Sequence, residues 1–115
     1  MAKLFIAEDD PDILDTYRTV MEILDHEIVL EAATFEDALE KAPQAAGLGC
    51  TVAIIDGTLI RGTGGDHGQH VAKALREAHP SIFIISCSTE KKSWGDENLE
   101  KPFDVHELRA LLAAH

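Results

Sequence analysis

The chain has 115 residues, the length of one ordinary domain, and its hydrophobic fraction of 45% predicts a packed core rather than a disordered chain. Its 21 acidic residues against 10 Lys and Arg give a formal charge of −11, which argues against direct nucleic-acid binding because a phosphate backbone attracts a basic surface. No apolar run is long enough for a signal peptide or a membrane span, so we expect one cytoplasmic domain over residues 1–115, without a membrane partner.

Short apolar runs alternate along the chain with segments of helical periodicity. Strands are predicted at the apolar runs, which cover residues 4–7, 28–30, 51–55, 82–85 and 98–99. Helices are predicted between and after them, with Pro11 in the first turn of the first helix and Thr34 and Asp104 at the N-termini of two others. Strand followed by helix, repeated along the chain, predicts right-handed βαβ units and therefore an α/β fold with a doubly wound, five-stranded parallel sheet.

Acidic side chains follow two of the predicted strands. Glu8 and Asp9 come directly after the first strand, and Asp56 ends the third. In a parallel sheet these strand ends lie on one rim, which is where ligands of such folds bind. Two carboxylates ~4 Å apart repel by about 4 kcal/mol at an effective dielectric of about 20. The cluster therefore indicates a divalent cation, and Mg²⁺ suits a site made of oxygen ligands.

A hydroxyl and an ammonium group are expected at the same rim. Ser86 ends the fourth predicted strand, and Lys101 follows the fifth. Each of these residues alone is also typical of a solvated loop or a helix cap. Together with the carboxylates and a metal they form a set that holds a phosphoryl group, because cations neutralise its oxygens while a carboxylate attacks phosphorus. The rim therefore indicates phosphoryl-group chemistry.

Motifs along most of the chain resemble the receiver domain of two-component response regulators, and they occur in that family's order. The matching segments are Ile6-Ala7-Glu8-Asp9-Asp10-Pro11-Asp12-Ile13, Ile54-Ile55-Asp56, Ile84-Ile85-Ser86 and Glu100-Lys101-Pro102-Phe103. The resemblance implies a flavodoxin-like receiver topology and a phosphoryl group accepted on Asp56. It also implies that Ser86 and Lys101 contact the phosphoryl oxygens, and that Lys101 pairs with a carboxylate before phosphorylation and precedes a cis Lys101–Pro102 bond.

The same resemblance implies the ligands, the partners and the limits of the activity. Mg²⁺ would be held by Glu8, Asp9, Asp56 and the backbone carbonyl of Thr58. The phosphoryl donor would be a sensor histidine kinase or a histidine phosphotransfer protein, and the output would pass to a downstream protein by direct contact. The chain would catalyse its own phosphorylation and dephosphorylation, but it would not be an enzyme acting on a separate metabolite.

Two segments depart from the family pattern. The glycine-rich stretch 57–68 is longer than usual and is either flexible padding or, less simply, a phosphate-binding loop; its His67 and His70 lack a third metal ligand. The stretch after Ser86 is about two helical turns shorter than usual and has no apolar face. We therefore expect the fourth helix to be reduced or absent, with few buried contacts around Trp94. Asn98 stands where the family has an aromatic switch residue.

Two alternatives bear on function. Asp56-Gly57-Thr58 also matches half of the haloacid-dehalogenase signature, but Ile54 stands at the position of that superfamily's nucleophile and cannot attack phosphorus. The second alternative is a receiver-like interaction module that binds a partner constitutively, with little or no switching. The acidic, hydroxyl and lysine set favours the phosphoacceptor, whereas the shortened segment before Asn98 favours the interaction module.

Overall fold

The computed structural model describes residues 1–57, 59, 67–90 and 92–115. Within them, five parallel strands form one sheet in the order β2-β1-β3-β4-β5. The strands are β1 (Lys3–Ala7), β2 (Glu27–Ala32), β3 (Val52–Asp56), β4 (Phe83–Ser88) and β5 (Glu97–Glu100). The predicted doubly wound parallel sheet is confirmed, with β1 and β3 as neighbours at its centre.

Four α-helices lie in the described part of the chain, and side chains cap the N-termini of the first, second and fourth. They are α1 (Pro11–Ile23), α2 (Phe35–Lys41), α3 (His67–Ala78) and α4 (Val105–Leu112), with a 3₁₀ turn at Ala42–Gln44. Thr34 accepts a hydrogen bond from Asp37 N, and Asp104 accepts one from His106 N, which confirms both predicted helix starts. Among the residues described, no helix is sufficiently long and apolar to span a membrane.

Alternate residues of each strand pack on opposite faces of the sheet, as the pleat requires. Ile54 and Ile85 belong to the hydrophobic core beneath α1 and α4, whereas Ile55 and Ile84 belong to the core beneath α2 and α3. Both cores are well buried, and the apolar character of both faces of β3 explains its continuous hydrophobic run.

The described residues between β4 and β5, 89–90 and 92–96, contain no helix, which confirms the expected reduction of the fourth helix. The strand pleat gives the reason. Cys87 and Leu99 pack toward α1 and α4. Their neighbours in β4 and β5 therefore face the other way, and these are polar: Ser86, Ser88, Asn98 and Glu100. A helix laid over this polar surface would bury almost no apolar area.

The expectation of few buried contacts around Trp94 is wrong. Its side chain is partly buried and packs against the α2–α3 core. Arg76 of α3 donates a 2.7 Å hydrogen bond to Trp94 O. Asp96 accepts from Ile84 N at 2.8 Å through its side chain, and its own N–H donates to Ile84 O at 2.7 Å. The segment is thus attached to α3 and β4, by contacts between distant residues that local periodicity does not reveal.

Candidate functional site

The ends of β1 and β3 bring three carboxylates together. Ala7 pairs with Ile55 in the sheet, so the residues that follow, Glu8 and Asp56, lie side by side at the rim. Oxygens of Glu8, Asp9 and Asp56 all lie within 4.8 Å of one another. Glu8 is only 1% exposed and Asp56 only 6%, whereas Asp9 is half-buried. The predicted acidic cluster is therefore formed, with access to solvent on the Asp9 side.

Lys101 brings a positive charge to the same place. Its Nζ lies 2.9 Å from Glu8 Oε2 and 3.3 Å from Asp56 Oδ1, and its side chain is 16% exposed. The backbone N–H of Lys101 donates a 2.7 Å hydrogen bond to Ser88 O, which attaches the end of β5 to β4. The Lys101–Pro102 peptide bond is cis, as the resemblance implied. One ammonium group thus contacts two carboxylates of the cluster.

The charges at the rim shift the ionisation of Asp56 and Lys101. Burial and, to a lesser degree, the charge of Glu8 raise the pKa of Asp56 to about 7, although the charge of Lys101 acts to lower it. For Lys101, burial alone lowers the pKa, but its hydrogen bond to Glu8 and the charges of Glu8 and Asp56 raise it above its usual value. The acidic groups outnumber the single ammonium, so the rim attracts further positive charge.

Ser86 lies at the rim, but its hydroxyl points to β5. The residue pairs with Ile55, directly before Asp56, and it is fully buried. Its Oγ donates a 2.8 Å hydrogen bond to Asn98 Oδ1 and lies 3.2 Å from Glu97 O. The structure therefore places Ser86 one position before the sheet partner of Asp56, with its hydroxyl proton directed to the neighbouring strand.

The predicted Thr58 ligand and residues 60–66 of the glycine-rich stretch lie outside the described residues. On either side of them the backbone is attached to the rim. Gly57 N donates to Cys87 O, and Gly68 N donates to Gly57 O, both at 3.0 Å.

The His67 and His70 rings lie near Phe35, with ring centroids 5.3 and 6.2 Å away. Among the described residues, only Glu8, Asp9 and Asp56 form a group of three that could share a metal ion.

A phenol and a thiol lie beneath Asp56, and sequence reasoning did not connect them. The Tyr17 hydroxyl donates to Cys87 Sγ at 3.1 Å, and both side chains are fully buried. Burial raises the pKa of Cys87 to about 11, so the thiol stays protonated and unreactive. Tyr17 also stacks on Phe103 of the Lys-Pro-Phe motif, with ring centroids 5.3 Å apart. The helical spacing of α1 predicts that Tyr17 is buried, but it does not identify its partner.

Comparison with known proteins gives matches in structure and not in sequence. No family model matches the chain, and no curated protein matches it. A response regulator receiver domain protein from Clostridium thermocellum superposes with a TM-score of 0.81 at 19% identity, over 99% of this chain and 93% of that one. Chemotaxis protein CheY4 from Vibrio cholerae gives 0.80 at 23% identity, over 99% and 98%.

A third match is the receiver domain of the hybrid histidine kinase CckA, with a TM-score of 0.79 at 24% identity over 97% of this chain and 96% of that one. The superposition of nearly complete chains at such low sequence identity shows that the chains share a fold. The topology, the strand order and these superpositions agree with the expectation raised by the sequence motifs. The chain therefore has the fold of response regulator receiver domains.

Proposed function

We propose that this chain is a phosphoacceptor domain in which Asp56 takes a phosphoryl group, in a Mg²⁺-dependent reaction, from a cytoplasmic histidine kinase or histidine phosphotransfer protein. One observation carries the proposal: the Lys101 ammonium contacts the carboxylates of both Glu8 and Asp56 at the rim of the sheet. In this arrangement a carboxylate can act as the nucleophile, and the ammonium beside it can stabilise the negative charge of the phosphoryl group.

In the proposed reaction, a carboxylate oxygen of Asp56 forms a bond to phosphorus. The bond between phosphorus and the histidine nitrogen of the donor breaks, and that nitrogen leaves with the electron pair. The Lys101 ammonium is 3.3 Å from Asp56 Oδ1, so it is near enough to neutralise a phosphoryl oxygen carried by that side chain. A positive charge beside Asp56 also favours its ionised, nucleophilic form.

The acidic cluster fits a hard divalent cation. Glu8, Asp9 and Asp56 offer only oxygen donors, close enough to one another to share an ion, and the partial exposure of Asp9 leaves room for water ligands. When bound, Mg²⁺ supplies positive charge that neutralises the phosphoryl oxygens. The three carboxylates would hold the cation, and the burial of Glu8 and Asp56 restricts the orientations of their side chains.

The donor and the output are proposed to be proteins. One structural neighbour is the receiver domain of a hybrid histidine kinase, which supports a histidine-bearing donor. The formal charge of −11 favours partners with basic surfaces over nucleic acid. The downstream partner is expected to recognise the phosphorylated state through direct contact.

The test is phosphorylation by a small-molecule donor. The protein is incubated with acetyl phosphate and Mg²⁺, and its intact mass is measured. Wild type should gain one phosphoryl group, and Asp56→Asn should gain none, because an amide cannot replace the carboxylate as nucleophile. Asp15→Asn, which neutralises an exposed carboxylate of α1, is the matched control and should be labelled like wild type. Equal labelling of Asp56→Asn, or an unlabelled wild type that still binds a partner, would reject the proposal.

A further inference from the structure

The Ser86 hydroxyl is already occupied. Ser86 and Asn98 are direct partners across β4 and β5, and the 2.8 Å hydrogen bond runs from Ser86 Oγ to Asn98 Oδ1. Ser86 is fully buried and Asn98 half-buried, so water does not easily replace this bond. A buried hydroxyl that loses its acceptor is costly unless it finds another one.

Asn98 Oδ1 also connects these strands to the shortened segment. It accepts a second hydrogen bond, at 3.1 Å, from Lys92 N. The segment touches Ser86 again at Gly95, where a Cβ would lie 2.8 Å from Ser86 N and 2.9 Å from Ser86 Oγ. One amide oxygen thus joins β4, β5 and the loop that carries Trp94. The position of the Ser86 side chain and the conformation of this loop therefore depend on the same acceptor.

A serine hydroxyl has a single proton to donate. It cannot donate to Asn98 and to a phosphoryl oxygen on Asp56 at the same time. Ser86 pairs with Ile55, the residue before Asp56, so it lies at the end of β4 beside the strand that carries the proposed phosphoacceptor. The hydroxyl must give up its bond to Asn98, and the longer 3.2 Å alternative to Glu97 O, before it can serve the phosphoryl group.

We infer that Asn98 is a positioning residue for the phosphoacceptor site: it holds the Ser86 hydroxyl in the unphosphorylated state and competes with the phosphoryl group for it. The inference rests on the proposed phosphorylation of Asp56 and specifies how that site is regulated. A ligand shifts an equilibrium only through its different affinity for the two states. Weakening the Asn98 acceptor therefore favours the phosphorylated state, and strengthening it favours the unphosphorylated state.

The test is binding of beryllofluoride with Mg²⁺ to the full chain, measured by titration calorimetry. Asn98→Ala should bind about two- to tenfold more tightly than wild type, the effect of one neutral hydrogen bond. Asn98→Asp keeps an oxygen acceptor and makes it charged, so it should bind more weakly than wild type. Glu100→Gln, an exposed change on the same face of β5, is the control and should bind within about twofold of wild type.

A double-mutant cycle with Ser86→Ala separates positioning from a general effect on the loop. In the Ser86→Ala background, the tightening caused by Asn98→Ala should disappear. Urea unfolding of the unliganded, metal-free variants should show coupling between Ser86 and Asn98 of about the same two- to tenfold size in the unfolding equilibrium constant.

Three results would overturn the inference: unchanged affinity in a folded Asn98→Ala variant, tightening that persists fully in the Ser86→Ala background, or tighter binding by Asn98→Asp. In each of these cases wild type still binds beryllofluoride, and the proposed function stands. A wild type that neither binds beryllofluoride nor is labelled by acetyl phosphate would reject the proposed function and this inference together.

Discussion

The two faces of the β4–β5 edge are built from the same two strands but are covered differently. On one face, Ile85, Cys87 and Leu99 are fully buried beneath α1 and α4. On the other face, the residues beyond Ile84 are polar (Ser86, Ser88, Asn98 and Glu100), and the described residues that connect the strands form a loop rather than a helix. The absence of a helix among residues 89–90 and 92–96 is therefore explained by the polar strands beneath them as well as by the short connection.

The energies of the two faces differ accordingly. Burial of a leucine side chain contributes about 1.5–3 kcal/mol, whereas a neutral hydrogen bond such as that from Ser86 to Asn98 contributes about 0.5–1.5 kcal/mol. The helix-covered face therefore provides most of the stability at this edge. The polar face can exchange one hydrogen bond for another at little net cost, which would suit a surface next to the proposed phosphoacceptor site.

The largest loss of stability is expected from a substitution at Leu99, on the face of the sheet covered by α1 and α4. Leu99→Ala should lower the free energy of unfolding by about 2–5 kcal/mol, because it leaves a cavity between β5 and α4. Urea denaturation followed by circular dichroism measures the change. Leu48→Ala, at a side chain that is 44% exposed, is the matched control and should lose less than about 1 kcal/mol. Similar losses in both variants would contradict the assignment of stability to the covered face.

The second-largest loss of stability is expected from a substitution at Gly68, where α3 lies against the rim. A Cβ at Gly68 would lie 2.4 Å from Asp56 O and 2.8 Å from the Trp94 ring, so Gly68→Ala must displace backbone. We expect a loss of about 1–3 kcal/mol and slower phosphorylation by acetyl phosphate, although alanine is the better helix former. Gly47→Ala, whose Cβ would be 3.8 Å from Gln44 O, should leave the phosphorylation rate unchanged. A Gly68→Ala variant as stable and as fast as wild type would show that this close packing is unimportant.

A smaller effect is expected at the contact between α3 and the loop. Arg76→Gln removes the 3.5 Å ion pair with Asp96 and weakens the hydrogen bond to Trp94 O. Both charged groups are more than a third exposed, so the loss should be about 1 kcal/mol or less. The fluorescence of Trp94, the chain's single tryptophan, should nevertheless shift as its backbone is released. Arg18→Gln breaks the exposed pair with Glu31 and should leave the spectrum unchanged; an identical response in both variants would argue against a specific contact.

The smallest effect is expected on the polar face itself. Glu100 is exposed and adjacent to Leu99, but it points away from the α1–α4 core. Glu100→Ala should change the free energy of unfolding by no more than about 0.5 kcal/mol, in the same denaturation experiment as Leu99→Ala. A loss above about 1 kcal/mol would mean that this face is covered in solution.

Much of the fold could be predicted from local patterns. The apolar run at Val52–Asp56 and the caps at Thr34 and Asp104 carry their signals in adjacent residues, and the structure has a strand and two helix starts there. The meeting of Glu8, Asp9 and Asp56 was predictable because ends of neighbouring parallel strands share a rim. The roles of these residues, and the extent of the domain, stay predictions.

The contacts that sequence reasoning missed join residues far apart. The direction of the Ser86 hydroxyl depends on the acceptor that β5 presents at Asn98, 12 positions later. Trp94 packs on α3 because Gly68 leaves room for its ring. Neither residue is part of a periodic pattern or a motif that identifies its partner. Periodicity predicts which residues are buried, but it does not predict which polar atoms meet.

The ion pair between Lys101 and Glu8 joins residues 93 positions apart, and this separation affects how the chain folds. Contacts between distant residues form late, since closing a long loop costs chain entropy before any contact compensates for it. Pairing of β1 with β3 brings Glu8 and Asp56 together, whereas Lys101 arrives only when β5 joins the edge of the sheet. A partly folded chain that lacks β5 therefore has two neighbouring carboxylates without their lysine. The positive charge of the site therefore depends on the pairing of β5 with β4 at the edge of the sheet.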